Sequence, residues 1–253
     1  MNILITNDDG IDAQGLQVLK GVLSDHYSVF TIAPDTERSG CSNAIHMHTE
    51  IKVEQIDEYS FAIDGFTADC VNIGLHSGLI PPVDLVISGI NHGPNMGDDI
   101  YFSGTVAGAR TAYIFGVSGI AVSIDSYYES DYFKDASYFI LELLKDYPIH
   151  SKQSPWFLNI NYPDLPCHEI KGIQYTQLGK RYYRDAYRIV KQSEKFLTLE
   201  LDGTIENDQK AGSDVTELRN GYIVITPLSI DCTDYNYMNR LQKRATTNHI
   251  WKS

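Results

Sequence analysis

The sequence lacks the marks of several common protein classes. Its four cysteines, Cys41, Cys70, Cys167 and Cys232, are scattered and form no CxxC pair. Zinc-finger and thioredoxin readings therefore have no ligands to stand on, and reduced thiols are the expectation. No apolar run approaches the length needed to cross a bilayer, so no membrane partner is expected. Met1-Asn2-Ile3-Leu4-Ile5 carries no basic region ahead of its short apolar stretch. That start reads as a strand and not as a secretory leader, which points to a cytoplasmic address. Basic residues are also in short supply. Twenty Lys and Arg stand against 33 Asp and Glu, a net charge of −13, which argues against nucleic acid as the main partner. Neither a Walker A loop nor a GxGxxG fingerprint is present, so nucleotide binding through those devices is disfavoured.

What is present is an ordinary globular balance over 253 residues, 43 % apolar and 21 % charged, long enough to bury a core without disulfides. Short β-branched runs alternate with helical spacing through the first half. Strands are expected at 2–6, 28–33, 61–63, 84–88, 119–124 and 156–160, and helices at 13–23, 68–79, 104–115 and 131–144. This alternation predicts βαβ units, hence a doubly wound, mostly parallel α/β sheet with helices on both faces. After about residue 164 the texture changes. Segments 172–178, 187–190, 196–201 and 222–226 read as strands joined by polar turns such as Asp202-Gly203. They suggest an antiparallel hairpin arm, with 223–225 able to rejoin the main sheet. Residues 234–250 read as a C-terminal helix or arm. The expected organisation is one domain over 1–253: a sheet core to about 164, then arm, returning strand and tail.

Three polar loops fall after strands, where an open parallel sheet binds ligands. The first is Asn7-Asp8-Asp9-Gly10. Adjacent carboxylates repel and favour a hard divalent ion, although an Asp turn beside Gly10 with a helix-capping Asp fits equally well. The second runs from Ala33-Pro34-Asp35 to Ser39-Gly40-Cys41-Ser42-Asn43. There Ser39 and Asn43 are candidate neutral ligands or phosphate donors, or merely members of a solvated loop. The third, Ser88-Gly89-Ile90-Asn91-His92-Gly93-Pro94-Asn95 through Ser103-Gly104-Thr105, ends at a helix start whose free N–H groups suit a phosphate. Together the loops supply two carboxylates, several Ser, Asn and Thr groups and a helix N-terminus. That set suits a metal ion with a phosphoryl group.

In these motifs and their order the chain resembles the SurE family, the survival proteins known as 5′/3′-nucleotidases. The resemblance implies that Asp8, Asp9, Ser39 and Asn91 hold one divalent ion per subunit, Mg²⁺ or Mn²⁺, with Asp8 and Asp9 catalytic. Asn43, Asn95, Ser103, Gly104 and Thr105 then bind the phosphate. It further implies hydrolysis of nucleoside monophosphates, extending to short polyphosphate, and a homodimer or homotetramer built through a hairpin and an exchanged C-terminal arm. Arg110-Thr111 departs from the family's usual Glu-Gly in the helix after Thr105, at a position expected to lie away from the ligands.

Other readings stay open at this point. A catalytically inactive oligomeric binding module would keep the same fold. A receiver-type signalling domain also carries an acidic pair after its first strand, with Asp64 as its further Asp, but no Lys follows Ile124-Asp125-Ser126. His46 and His48 would share one face of a strand, a conceivable second metal site or an exposed face. His92 is a candidate substrate contact. Lys180-Arg181-Tyr182-Tyr183-Arg184 mixes bases with aromatics, as a nucleotide-stacking arm or a subunit interface does.

Overall fold

A computed structural model describes residues 1–128, 130–146 and 154–247. The sheet core begins with β1 (Asn2–Thr6), α1 (Gln14–Ser24), β2 (Ser28–Pro34), β3 (Val53–Asp57), β4 (Ser60–Ile63), α2 (Thr67–His76) and β5 (Leu85–His92). It continues with α3 (Gly104–Ile114), β6 (Ser118–Ile124), α4 (Phe133–Asp146) and β7 (Phe157–Tyr162). A 3₁₀ turn over Gly97–Tyr101 precedes α3. Strands β4, β2, β1, β5, β6 and β7 lie side by side and all parallel. Both faces of such strands are covered, so they are mostly apolar and do not alternate. Ile3 and Ile5 of β1 join α1 and α4 in one core cluster, while Leu4 faces the other way, against α2 and α3. The doubly wound sheet with helices on both faces is thus found.

The chain winds outward from β1 through β2 to β4, then returns and winds the other way through β5, β6 and β7. The order reverses between β1 and β5, and a crevice opens beyond the carboxyl ends of those two strands. Asp8 and Asp9 follow β1, and Asn91 is the last residue but one of β5.

The second half departs further from its reading. β8 (Ile173–Tyr175) and β11 (Ile223–Pro227) both join the main sheet, β11 antiparallel to β7 and β8 parallel to β11. Segment 172–178 is therefore sheet edge and not hairpin. The hairpin itself is longer than expected: β9 (Arg181–Gln192) pairs antiparallel with β10 (Leu197–Asn207). Asp202 and Gly203, read as a turn, lie inside β10 opposite Ala186 and Asp185. The chain turns instead at Ser193, whose N–H donates to the Phe196 carbonyl at 2.9 Å. β3 escaped the reading because all five of its residues are exposed, so no alternation marks it. Helix α5 (Asp214–Arg219), capped by Ser213, was also unforeseen. The C-terminal helix, α6 (Tyr235–Thr247), falls within the expected 234–250 segment, of which 248–250 lie outside the described residues.

One carboxylate fastens the hairpin to the core. Asp214 is wholly buried and accepts N–H groups from Gly97 at 2.9 Å, Gly179 at 2.6 Å and Val215 at 2.8 Å. Burial raises its pKa against the pull of these three donors.

Two glycines of α1 give a paired test of packing. A β-carbon on Gly15 would lie 2.0 Å from the Ile90 carbonyl oxygen, whereas one on Gly21 meets nothing within 4 Å. Gly15→Ala is expected to lower stability by at least about 2 kcal/mol, because a backbone group must move. Gly21→Ala is expected to raise it by about 1 kcal/mol through helix propensity. Urea unfolding of the two variants checks both signs.

Candidate active site

The turn after β1 is closed by the Asn7 side-chain amide, which donates to the Gly10 carbonyl at 2.8 Å. This turn places Asp8 inward and Asp9 towards the crevice. Asp8 is 4 % exposed, and its carboxylate accepts the Thr105 hydroxyl from the start of α3. Gly104 permits that approach, since a β-carbon there would stand 2.7 Å from Asp8 Oδ2. Burial pushes the Asp8 pKa up to about 6; the Thr105 bond opposes the shift and the Asp9 charge adds to it. Asp9 Oδ2 accepts the backbone N–H of His92 at 3.3 Å, with the His92 Nδ1 3.5 Å away.

Neutral groups converge on the same space. The Asn91 amide nitrogen donates to the carbonyls of His92 at 2.8 Å and Gly93 at 2.7 Å. Both its hydrogens are spent, and the amide oxygen remains as a ligand group. The Ser39 hydroxyl donates to Glu37 at 2.9 Å, which leaves its oxygen able to accept. Asp8, Asp9, Ser39, Asn91, Asn95 and Ser103 all line one cavity of about 680 Å³. Gly104 and Thr105 stand behind it, against Asp8. Ser103 caps α3 by accepting the Val106 N–H at 3.0 Å.

Asn43 sits apart from that lining. Its amide nitrogen donates to the Thr111 hydroxyl at 3.1 Å, and Arg110 donates to its oxygen at 3.3 Å. Arg110 also reaches the Ile100 carbonyl at 2.7 Å. The Arg110-Thr111 pair lies outside the cavity lining and holds Asn43, a residue expected to bind the phosphate. His46 and His48 do not share a strand face, because residues 44–52 form no strand. His46 is instead drawn to Asp69, with its Nδ1 2.8 Å from Oδ2 and its backbone N–H donating to Oδ1 at 3.0 Å. It stacks on Phe66. His92 does line the cavity.

Two groups of residues were missed. Asn161 accepts the Asn95 N–H at 2.8 Å, and the amides of Asn159 and Asn161 donate to the Asn95 carbonyl at 2.8 and 3.0 Å. The Asn95 side chain donates to Ser123 at 2.9 Å. The signal was legible in Phe157-Leu-Asn-Ile-Asn-Tyr162, where two asparagines at alternate positions interrupt a buried apolar strand. The second group, Asp99, Phe102, Tyr127, Leu201 and Ile205, joins Arg181 and Tyr183 of the segment read as a stacking arm or interface, and the seven come from four separate segments. No local pattern links them.

Among the described residues no three of His, Cys, Asp or Glu gather as a metal cluster. The donor set is instead two carboxylates with a hydroxyl and an amide oxygen. These hard oxygen donors fit Mg²⁺ or Mn²⁺, and a cation there would relieve the charge that burial and Asp9 make costly at Asp8.

A pH dependence follows with a definite sign. An acid whose folded pKa is raised binds its proton more tightly in the folded state. Its stabilising contribution is complete below the unfolded value near 3.8 and is lost as pH rises through about 6. In chelator, wild type is expected to lose about 3 kcal/mol more than Asp8→Asn between pH 3.5 and pH 7.5. Denaturant unfolding across that range, compared between the two proteins, checks it.

The model of a family described as survival protein SurE matches residues 3–185. A protein named 5′-nucleotidase SurE from Marinomonas sp. is 40 % identical over 249 residues, covering 98 % of this chain and 99 % of its own. One of the same name from Leptospira interrogans is 37 % identical at the same coverage. The crystal structure of a SurE protein from Aquifex aeolicus superposes with a TM-score of 0.80 at 31 % identity, over 96 % of this chain and 99 % of that one. Agreement of this extent, in a chain whose three strand-end loops close on one cavity, places it within a family: the protein is a member of the SurE family.

Proposed function

We propose that this protein is a phosphoric monoester hydrolase, a metal-dependent nucleotidase that cleaves nucleoside 5′-monophosphates to nucleoside and phosphate. We extend the reading to 3′-monophosphates and short polyphosphate. Relatives named 5′-nucleotidase over nearly their whole length support it. The observation that carries it is the meeting of a buried and a partly buried carboxylate with a helix N-terminus at the sheet's point of reversal.

Asp8, Asp9, Ser39 and Asn91 would hold one divalent ion, Mg²⁺ or Mn²⁺, in each subunit. Such an ion supplies Lewis-acid polarisation of the phosphoryl group. The chain supplies the rest. Asp8 or Asp9 takes a proton from the attacking water as its oxygen bonds to phosphorus and the bond to the nucleoside oxygen breaks. The proton then passes to that leaving oxygen. Because Ser103 Oγ already accepts from Val106, its own hydrogen is available to a phosphate oxygen. The amides of Gly104 and Thr105 precede the first helical bond, which runs from Ala107 N–H to the Ser103 carbonyl. They join Ser103 and Asn95 in stabilising the developing charge. Asn43 is assigned to the same anion and exchanges its Thr111 bond to reach it. Adjacent rather than alternate aspartates disfavour an aspartyl-phosphate intermediate. Asp64, the receiver-type alternative, is spent on the Lys52 N–H at 2.7 Å.

We assign the whole chain, 1–253, to one functional domain acting in the cytoplasm as a homodimer or homotetramer, with no nucleic-acid or membrane partner. Exposed apolar groups along the hairpin (Tyr187, Phe196, Leu199) and α6 (Tyr235, Met238, Leu241) support association.

Phosphate release from 5′- and 3′-nucleoside monophosphates, after EDTA and again with Mg²⁺ or Mn²⁺ restored, tests the reading. Release that vanishes with EDTA and returns with metal is expected. Asp8→Asn and Asp9→Asn should each lower kcat by about 10³-fold or more while leaving the fold intact. Folded protein that releases no phosphate under any of these conditions would instead be an oligomeric binding module.

A further inference from the structure

The carboxylates and the α3 N-terminus account for only part of the 680 Å³ cavity. That volume is typical of sites that enclose a whole small organic ligand. Beyond the phosphate end the lining changes character and becomes aromatic. Phe102 immediately precedes the α3 cap, Tyr127 follows β6, and Tyr183 projects from β9. All three keep much of their side chain open, at 65 %, 62 % and 43 % exposure. Arg181 and Tyr183, two apart on β9, share this face.

These rings are held in place. Tyr183 donates its hydroxyl to Asp99, and Arg181 pairs with the other oxygen of the same carboxylate. The Arg181 guanidinium lies 6.0 Å from the centre of the Tyr183 ring, and its Nε donates to Asn207 at 3.2 Å. Tyr127 lies against the backbone of the Asn91 loop, where a β-carbon on Gly93 would meet its ring at 2.7 Å. Asp99 has both oxygens engaged and Arg181 is buried, so the wall offers ring faces, with its charges already paired. Aromatic faces of this kind bind a nucleobase by stacking, which needs no particular pattern on the base edge.

We propose that Tyr127, Tyr183 and Phe102 form the nucleoside subsite, stacking the base, and that Asp99 and Arg181 act as positioning residues that fix Tyr183. The proposal rests on the nucleotidase reading and deepens it. It assigns discrimination between a nucleotide and a base-free sugar phosphate to the base of the hairpin and the turn after β6. Because the wall reads faces and not edges, AMP and GMP are treated alike, and both are preferred to ribose 5-phosphate.

Two measurements on the full-length protein test this. The first is the ratio of kcat/KM for AMP to that for ribose 5-phosphate with Mn²⁺ present. The second is the dissociation constant of adenosine, which has no phosphate, followed by NMR titration without metal. In Tyr127→Leu and Tyr183→Leu the ratio should fall by roughly tenfold, chiefly through KM for AMP, and adenosine should weaken by a similar factor. Tyr127→Phe, which keeps the ring, should match wild type. Tyr127 is largely solvent-exposed, so its replacement does not endanger folding. A ratio and an adenosine affinity equal to wild type in both leucine variants would overturn the proposal, whatever happens to the oligomeric mass. If wild type hydrolyses neither ester yet loses adenosine binding in the variants, the nucleotidase reading falls and the subsite stands.

Discussion

The hydroxyl of Thr105 on the carboxylate of Asp8 is the contact around which the rest of the site is arranged. It joins the end of the central strand to the start of α3, two segments nearly a hundred residues apart in sequence. The contact is possible only because residue 104 has no side chain to hold the helix away. It also fixes the electrostatics. An aspartate forced inward beside a second aspartate is an unfavourable arrangement without a cation, and the raised Asp8 pKa expresses that cost. The sheet therefore stores at its reversal point a demand for positive charge, next to a helix start that demands negative charge. A metal ion with a phosphate answers both.

The legible part of the structure was the part governed by local pattern. Ile3, Leu4 and Ile5 are apolar without alternation because both faces of β1 are covered, and the same holds for β2, β5 and β6. The strand-end loops could therefore be placed on one side of one sheet from their order alone. Ser103 was recognisable as a helix cap. The readings that missed did so where partners lie far off in sequence. β3 has no buried face to pattern it. Asp202-Gly203 looks like a turn, yet long-range pairing with β9 keeps it extended. Arg110 and Thr111 gave no hint of Asn43, which lies in a different loop. Asn159 and Asn161 were visible as polar residues in a core strand, but their partner, Asn95, could not be named without the fold.

The cavity accordingly has two origins. Its charged end comes from strand ends that the sheet topology dictates, and its aromatic side comes from a 3₁₀ turn, the turn after β6 and a hairpin that is not part of that sheet. The first is built from backbone geometry and buried polar bonds. The second is built from exposed rings clamped by one ion pair and one phenol.

Asp214 ties these two parts together, since its single carboxylate gathers amides from the turn before α3, the approach to the hairpin and the first turn of α5. None of the three can move off without leaving a buried charge short of donors. Segments joined in this way open together and not piecemeal. In native-state hydrogen exchange, the amides of Gly97, Gly179 and Val215 would then share one opening free energy. The breathing of the protein would carry the hairpin base, the turn before α3 and the start of α5 as a single foldon, so this wall of the cavity opens as a cooperative unit and not as a loose flap.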